Sequence, residues 1–207
     1  MPTLDLAVAA SADDAHESQG DTNFSSTAIT VDPNSNTTIT SRLKGGFRFI
    51  LSAAIPTGST ITVAYITPNV TTNARDDPNL DIYAEQSSNP VNYSTNADVN
   101  NRALTAASAA WVATGIGSGD RQSPSIVSVI QELIDDYGGL ASGAAINIIM
   151  VGRADANNNL RLRAYDDGPG TNPADLHLEW TEPAGAADSL ASLFGKLKRR
   201  QQHLLVR

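Results

Sequence analysis

Two segments in the last quarter of the chain alternate strictly between apolar and polar side chains. Leu160, Leu162 and Ala164 oppose Arg161, Arg163 and Tyr165, and Leu176, Leu178 and Trp180 oppose His177 and Glu179. A period of two places one face of each segment in a core and the other in water, which predicts half-buried strands. Runs rich in β-branched and aromatic residues predict five more strands, at Ala28–Val31, Phe47–Leu51, Thr60–Ile66, Leu80–Glu85 and Ala144–Val151. The connectors carry turn chemistry. Ile55-Pro56-Thr57-Gly58 joins two of these strands, with Pro setting φ and Gly accepting the positive φ that follows. Asp155-Ala156-Asn157-Asn158-Asn159 reads as a hairpin loop, and Asp32-Pro33-Asn34 as a turn. Within Asn89–Gly119, Arg102–Thr105 and Ala110–Val112 read as short strands, whereas residues 1 to 20 are small and polar with an acidic patch at Asp13, Asp14 and Glu17.

Helical spacing occurs twice. Ile126, Val127, Ile130, Leu133, Ile134 and Tyr137 line one side of a helix that Ser123 would cap, Pro124 would begin and Gly138-Gly139 would stop. This stripe is expected to pack on the core, across an end or edge of the sheets, with Asp135 and Asp136 in water. The second is a C-terminal segment, Asp188 to Gln202, in which Leu190, Leu193, Phe194 and Leu197 recur at i, i+3, i+4 and i+7 among basic residues. A Pro183-Ala-Gly-Ala-Ala linker sets it apart. The expected organisation is a mainly β, antiparallel domain over 1–181 followed by a linker and basic amphipathic tail over 182–207.

Composition narrows the class. The chain has 207 residues and no cysteine, which excludes disulfides and thiolate metal sites. At this length a single β-domain buries about 70% of its unfolded surface without staples. No signal peptide and no stretch of membrane-spanning length is visible. The net charge of −8 is uneven: residues 181–207 carry five basic and two acidic residues, a net of +3, and the rest nine and twenty, a net of −11. Such a tail has the character of a docking element for a protein partner, a membrane surface or its own domain, and a protein partner suits it best because a lone short helix with one aromatic anchors weakly in lipid.

Candidate chemistry is sparse. His16, His177 and His203 lie in unrelated contexts without ligand or triad spacing, and neither a nucleophile elbow nor a zincin motif occurs. Gly115-Ile116-Gly117-Ser118-Gly119-Asp120 lacks the Lys-Ser/Thr ending of a phosphate loop and reads as a flexible connector. Nothing points to catalysis. Asp13 and Asp14 precede the strands, and Asp166 and Asp167 lie between the last two; if these loops met, their oxygens would suit a structural Ca²⁺. Solvated turn carboxylates are the simpler reading. Arg48, between Phe47 and Phe49, has Glu17, Glu85 or Glu132 as prospective partners. Aromatic residues make up only 5% of the chain, and Trp180 lies on an apolar face, so most of them belong to the core rather than to a sugar platform.

Taken in order, several motifs resemble one family. These are Ser11-Ala-Asp-Asp-Ala-His-Glu17, Gly46-Phe-Arg-Phe49, Ile55-Pro-x-Gly58-x-x-Ile61, Ser123-Pro-Ser-Ile126 leading to Ile130-Gln-Glu-Leu-Ile134, Ala141-Ser-Gly143, Tyr165-Asp-Asp-Gly-Pro169 and Leu176-His-Leu-Glu-Trp180. Together they are similar to the bacterial and phage carbohydrate-binding-module-like β-sandwiches of the DNRLRE type, over residues 11–181. The resemblance implies a jelly roll with a short helix before the final strands; it leaves function open, because such folds serve glycan binding, adhesion and virion architecture. Secreted members carry export signals, and this chain shows none and adds the basic tail. The expectation is therefore a non-enzymatic phage virion protein (capsid decoration, fibre or tail-associated), made in the host cytoplasm. Its partners would be other virion subunits or further copies of itself, gripped through Leu190, Leu193, Phe194 and Leu197, with host glycan as a further ligand and neither nucleic acid nor membrane among them. The alternative is an extracellular or cell-surface carbohydrate-binding module using an exposed aromatic such as Tyr83 or Tyr93.

Overall fold

The computed structural model describes residues 1–18, 24–25, 30–31, 43–71, 77–95, 98–153, 160–167 and 173–183. Two antiparallel six-stranded sheets face each other. The first runs β1 (Thr3–Ala7), β12 (Ala174–Thr181), β6 (Thr60–Val70), β11 (Leu162–Arg163), β4 (Thr30–Val31), with β9 (Gly119–Asp120) also on β6. The second runs β3 (Phe24–Ser25), β2 (Asp14–Ser18), β5 (Leu43–Ile50), β10 (Ala145–Gly152), β7 (Asn79–Ala84), β8 (Ala109–Val112). Alternation places Leu4 and Leu6, Leu176 and Leu178, and Ala64 and Ile66 inward from the first sheet, against Phe47, Phe49, Ile146 and Ile148 from the second.

Strand β10 breaks the alternation, being buried on nearly every residue. One face, with Ile146, Ile148 and Met150, enters the main core. The other face meets the connection after β7, where Ile149 joins Ala15, Tyr93 and Val99 in a second, smaller core. The outer face of the second sheet is thus covered at β10, which needs apolar residues on both sides, while Ile50 of β5 and Val112 of β8 stay exposed.

The helix α1 (Val127–Tyr137) buries Val129, Ile130, Leu133 and Ile134 and touches both β6 and β7. Asp135 and Asp136 are exposed as expected, but Tyr137 is 38% exposed rather than core. Its start differs from expectation. Ile126 is the N-cap and no side chain caps it. Ser123 instead supports β6: its Oγ accepts a hydrogen bond from the Ile66 amide at 3.1 Å and donates to the Pro124 carbonyl. The backbone from Ser123 to Ile126 runs beside β6, with the Ser123 and Ile126 amides bonded to Ile66 and Ala64, so tertiary pairing delays the first turn. The C-terminus is as expected, with Gly138 left-handed at φ 65° and the Gly139 amide on the Ile134 carbonyl. Gly139, at φ 91°, lies so close to the Ile55–Thr57 turn that a Cβ would fall 2.6 Å from the Ile55 carbonyl oxygen.

Other expectations change. Residues 1 to 18 supply β1, a 3-10 turn at Ser11–Asp13 and β2. Arg102–Thr105 contributes only a bridge between Leu104 and Glu85, and the strand expected at Leu160–Tyr165 shortens to β11 before a 3-10 turn at Tyr165–Asp167. The hairpin loop at 155–159 and the tail from 184 onward lie outside the described residues. Among those described, no helix is long and apolar enough to cross a membrane.

Candidate functional site

Charged residues with unusual surroundings gather in three places. The first lies beneath the connection between β7 and β8. Arg102 ion-pairs with Glu85 and Asp98, each at 2.9 Å, donates to the Val91 and Asn92 carbonyls, and sits 4.9 Å from the centre of the Tyr93 ring. The Tyr93 hydroxyl donates to Asn147 Oδ1 at 2.6 Å, and Asn147 Nδ2 donates to Glu85 at 2.9 Å. Glu17 accepts the Val99 and Asn100 amides, while Lys44 Nζ donates to the Asn100 carbonyl. Burial pushes the Lys44 amine down, and Glu17 partly opposes this; burial pushes the Tyr93 phenol up, opposed by Asn147 and Arg102. Tyr93 is 1% exposed and cannot serve as a surface aromatic. It enters because Gly46 lacks a side chain: a Cβ there would lie 1.8 Å from the Tyr93 hydroxyl. Tyr83 is half-buried.

The second place joins the sheets at one end, where the Ser11–Asp13 turn meets the Tyr165–Asp167 turn. The two acidic loops therefore do come together. Asp14, 1% exposed, accepts the Tyr165 amide at 2.7 Å, and Ser11 Oγ donates to Asp166 at 2.7 Å. Asp13 is paired with Arg48 at 2.6 Å, and Asp167 with Arg163. Two of the four carboxylates expected to bind Ca²⁺ are thus engaged by arginines, and among the described residues no group of three or more His, Asp or Glu side chains could hold a metal ion. Arg48 takes Asp13 and the Pro90 carbonyl, in place of Glu17, Glu85 or Glu132. Glu132 binds the Ala106 and Ala107 amides. Burial, reinforced by Asp166 and Asp13 and opposed by the Tyr165 amide, pushes the Asp14 carboxyl up to about 7.

The third place is the outer face of the first sheet. The register aligns Asp5, His177 and Tyr65 across β1, β12 and β6, with Thr3, Glu179 and Val63 in one neighbouring row and Ala7, Asp175 and Thr67 in the other. His177 stacks on Tyr65 with ring centres 4.7 Å apart and planes 19° apart. Its Nδ1 is 2.6 Å from Asp5 and its Nε2 3.3 Å from Glu179. Burial lowers the imidazole's proton affinity, but the hydrogen bonds to Asp5 and Glu179 outweigh this and raise it. The two carboxylates thus engage both ring nitrogens of His177. The sequence pattern placed His177 on a polar strand face beside Glu179, but Asp5 and Tyr65 come from strands distant in sequence.

The Gly115–Gly119 segment is organised around Arg121, whose guanidinium donates to the Ile116 and Gly117 carbonyls, so its carbonyls, not a nest of amides, point at the cation. A shallow cleft of about 550 Å³ opens between Ser88-Asn89 and the Gly139–Ala144 turn. The docking residues Leu190, Leu193, Phe194 and Leu197, and His203, lie outside the described residues. Neither a protein-family model nor a curated protein matches the sequence.

Proposed function

We propose that the chain is a non-enzymatic structural protein of a phage virion, in which a jelly-roll sandwich presents its surface to solvent and the C-terminal tail, through Leu190, Leu193, Phe194 and Leu197, docks on a neighbouring subunit. The phage setting comes from the family resemblance. The observation that carries the structural role is the use of the acid–base residues as internal fasteners. Arg102, Glu85, Asp98 and Asn147 clamp the β7–β8 connection, and Arg48–Asp13 with Asp14–Tyr165 ties one sheet's end to the other. Fasteners of this kind suit a rigid building block. Deleting residues 183–207 is expected to abolish incorporation into particles while leaving the sandwich folded, as read by gradient sedimentation with mass spectrometry. Normal incorporation of the truncated protein would overturn the reading.

Recognition of a host glycan is the second reading, favoured by the Tyr65–His177 stack and its carboxylates on the outer sheet face. Sugars bind through aromatic contact plus polar hydrogen bonds, and Tyr65→Ala is expected to remove polysaccharide binding. A broad polysaccharide panel without binding would count against it.

A further inference from the structure

The strand that leads into the C-terminal tail also carries an acidic strip. Asp175 and Glu179 lie on the outer face of β12, flanked by Asp5 on β1, and Asp120 on β9 stands at the far side of β6. The Asp5 side chain is 78% exposed. Asp5 and Glu179 share His177, and no lysine or arginine among the described residues forms an ion pair with Asp5, Asp175 or Glu179. The repulsion shows at Asp175, whose carboxyl is pushed up by burial first and then by Asp120 and Asp5.

The described chain leaves this strip at Thr181–Pro183 and continues into the most basic segment of the protein. Residues 184–207 hold Lys196, Lys198, Arg199, Arg200 and Arg207 against the single acid Asp188. From Thr181 back along β12 to Asp175 is about 20 Å at ~3.3 Å per residue. Lys196 lies fifteen positions after Thr181, a reach of about 22 Å at ~1.5 Å per residue in a helix and more when extended.

We propose that the chain's own C-terminal segment, through Lys196, Lys198, Arg199 and Arg200, folds back onto the acidic outer face formed by Asp5, Asp175 and Glu179. The other acidic surface positions fit less well. Asp135 and Asp136 on α1 already bond Gln131 and Gln86, and Asp13 and Asp167 have arginines. The inference is independent of the virion reading: that reading assigns the tail's apolar residues to a neighbouring subunit, and this one assigns its basic residues to the chain's own sheet. Docked this way, the segment offsets the charge of the strip and lies over the Tyr65–His177 stack.

Because the chain has no cysteine, a single Ser192→Cys substitution takes one spin label cleanly in the full-length protein. Paramagnetic broadening is expected at the amides of residues 3–7 and 175–179, with loss of most of their intensity at low salt. Two changes should restore it: raising salt so that the Debye length falls from about 30 Å at 0.01 M to about 3 Å at 1 M, and the triple substitution Asp5→Asn, Asp175→Asn, Glu179→Gln. The three side chains face outward, and the unlabelled triple variant's amide spectrum away from the strip checks its fold. Salt sensitivity in the unsubstituted sheet keeps the test available if that variant misfolds. Broadening confined to other surfaces, or absent, overturns the proposal. So does broadening of an isotope-labelled, label-free chain mixed with a spin-labelled, isotope-free one, which would mean docking between copies. Should the strip fail this test while tail deletion still blocks incorporation, the virion reading survives alone.

Discussion

Replacing Asp14 by Asn tests the reading of the sheet junction. Asp14 is 1% exposed, its carboxyl is raised from 3.8 to about 7, and burial is the largest cause. The folded state therefore binds a proton that the unfolded state has released between about pH 4 and 7. Stability contributed by this group is full below its unfolded value and declines as pH rises, levelling off above about 7. The shift of roughly 3 pH units corresponds to about 4 kcal/mol at ~1.36 kcal/mol each. Asparagine keeps an oxygen for the Tyr165 amide but carries no charge, and burying its NH₂ costs about 1–3 kcal/mol. Urea unfolding of both proteins from pH 4 to pH 8 separates the two effects. Near pH 4 the variant is expected to be the less stable by about 2 kcal/mol and by pH 8 the more stable by about 2 kcal/mol; the swing between them, about 4 kcal/mol, is independent of the amide's own cost. A stability difference that stays constant across this range would refute the buried, proton-holding Asp14.

Other perturbations address the remaining clusters. Arg102→Met leaves Glu85 and Asp98 without their cation and is expected to cost about 3–5 kcal/mol of stability, with faster hydrogen exchange of residues 91–99; a loss below about 1 kcal/mol in urea unfolding would contradict a buried clamp. Gly46→Ala forces a Cβ into the Tyr93 hydroxyl and should cost about 1–3 kcal/mol, and pairing it with Tyr93→Leu should be less than additive; strict additivity in thermal melts would place the two residues apart. His177 holds its proton more tightly when folded, so its stabilisation is complete below about pH 6.5 and fades as pH rises through the folded value; His177→Gln should remove that part of the pH profile while leaving the Asp14 part, and an unchanged profile would refute the Asp5–His177–Glu179 contact.

Some strands with one face in water were legible, but β1, where Leu4 and Leu6 alternate with exposed residues, was not, and the alternating Leu160–Tyr165 yielded only the two residues of β11. The alternation of Leu176, Leu178 and Trp180 with His177 and Glu179 survives intact in β12, and the apolar stripe of α1 buries Ile130, Leu133 and Ile134 as its spacing requires. Local chemistry also settled the helix stop at Gly138, because a left-handed residue is a property of the backbone itself. The two acidic loops were recognisable as polar turns, but their meeting was not, since Asp14 and Tyr165 are 151 residues apart. Only tertiary structure decided that Arg48 takes Asp13, that Tyr93 is core, and that Ser123 serves β6 instead of capping α1. Each of those outcomes depends on which donor a distant strand leaves within hydrogen-bond range, and hydrogen bonding falls off over a few tenths of an ångström. Sequence alone determined the periodicities and the uneven charge, because these follow from residue type and order. The sheet register set the partners, since pairing β1, β12 and β6 brings Asp5, His177 and Tyr65 into one row that no spacing along the chain encodes.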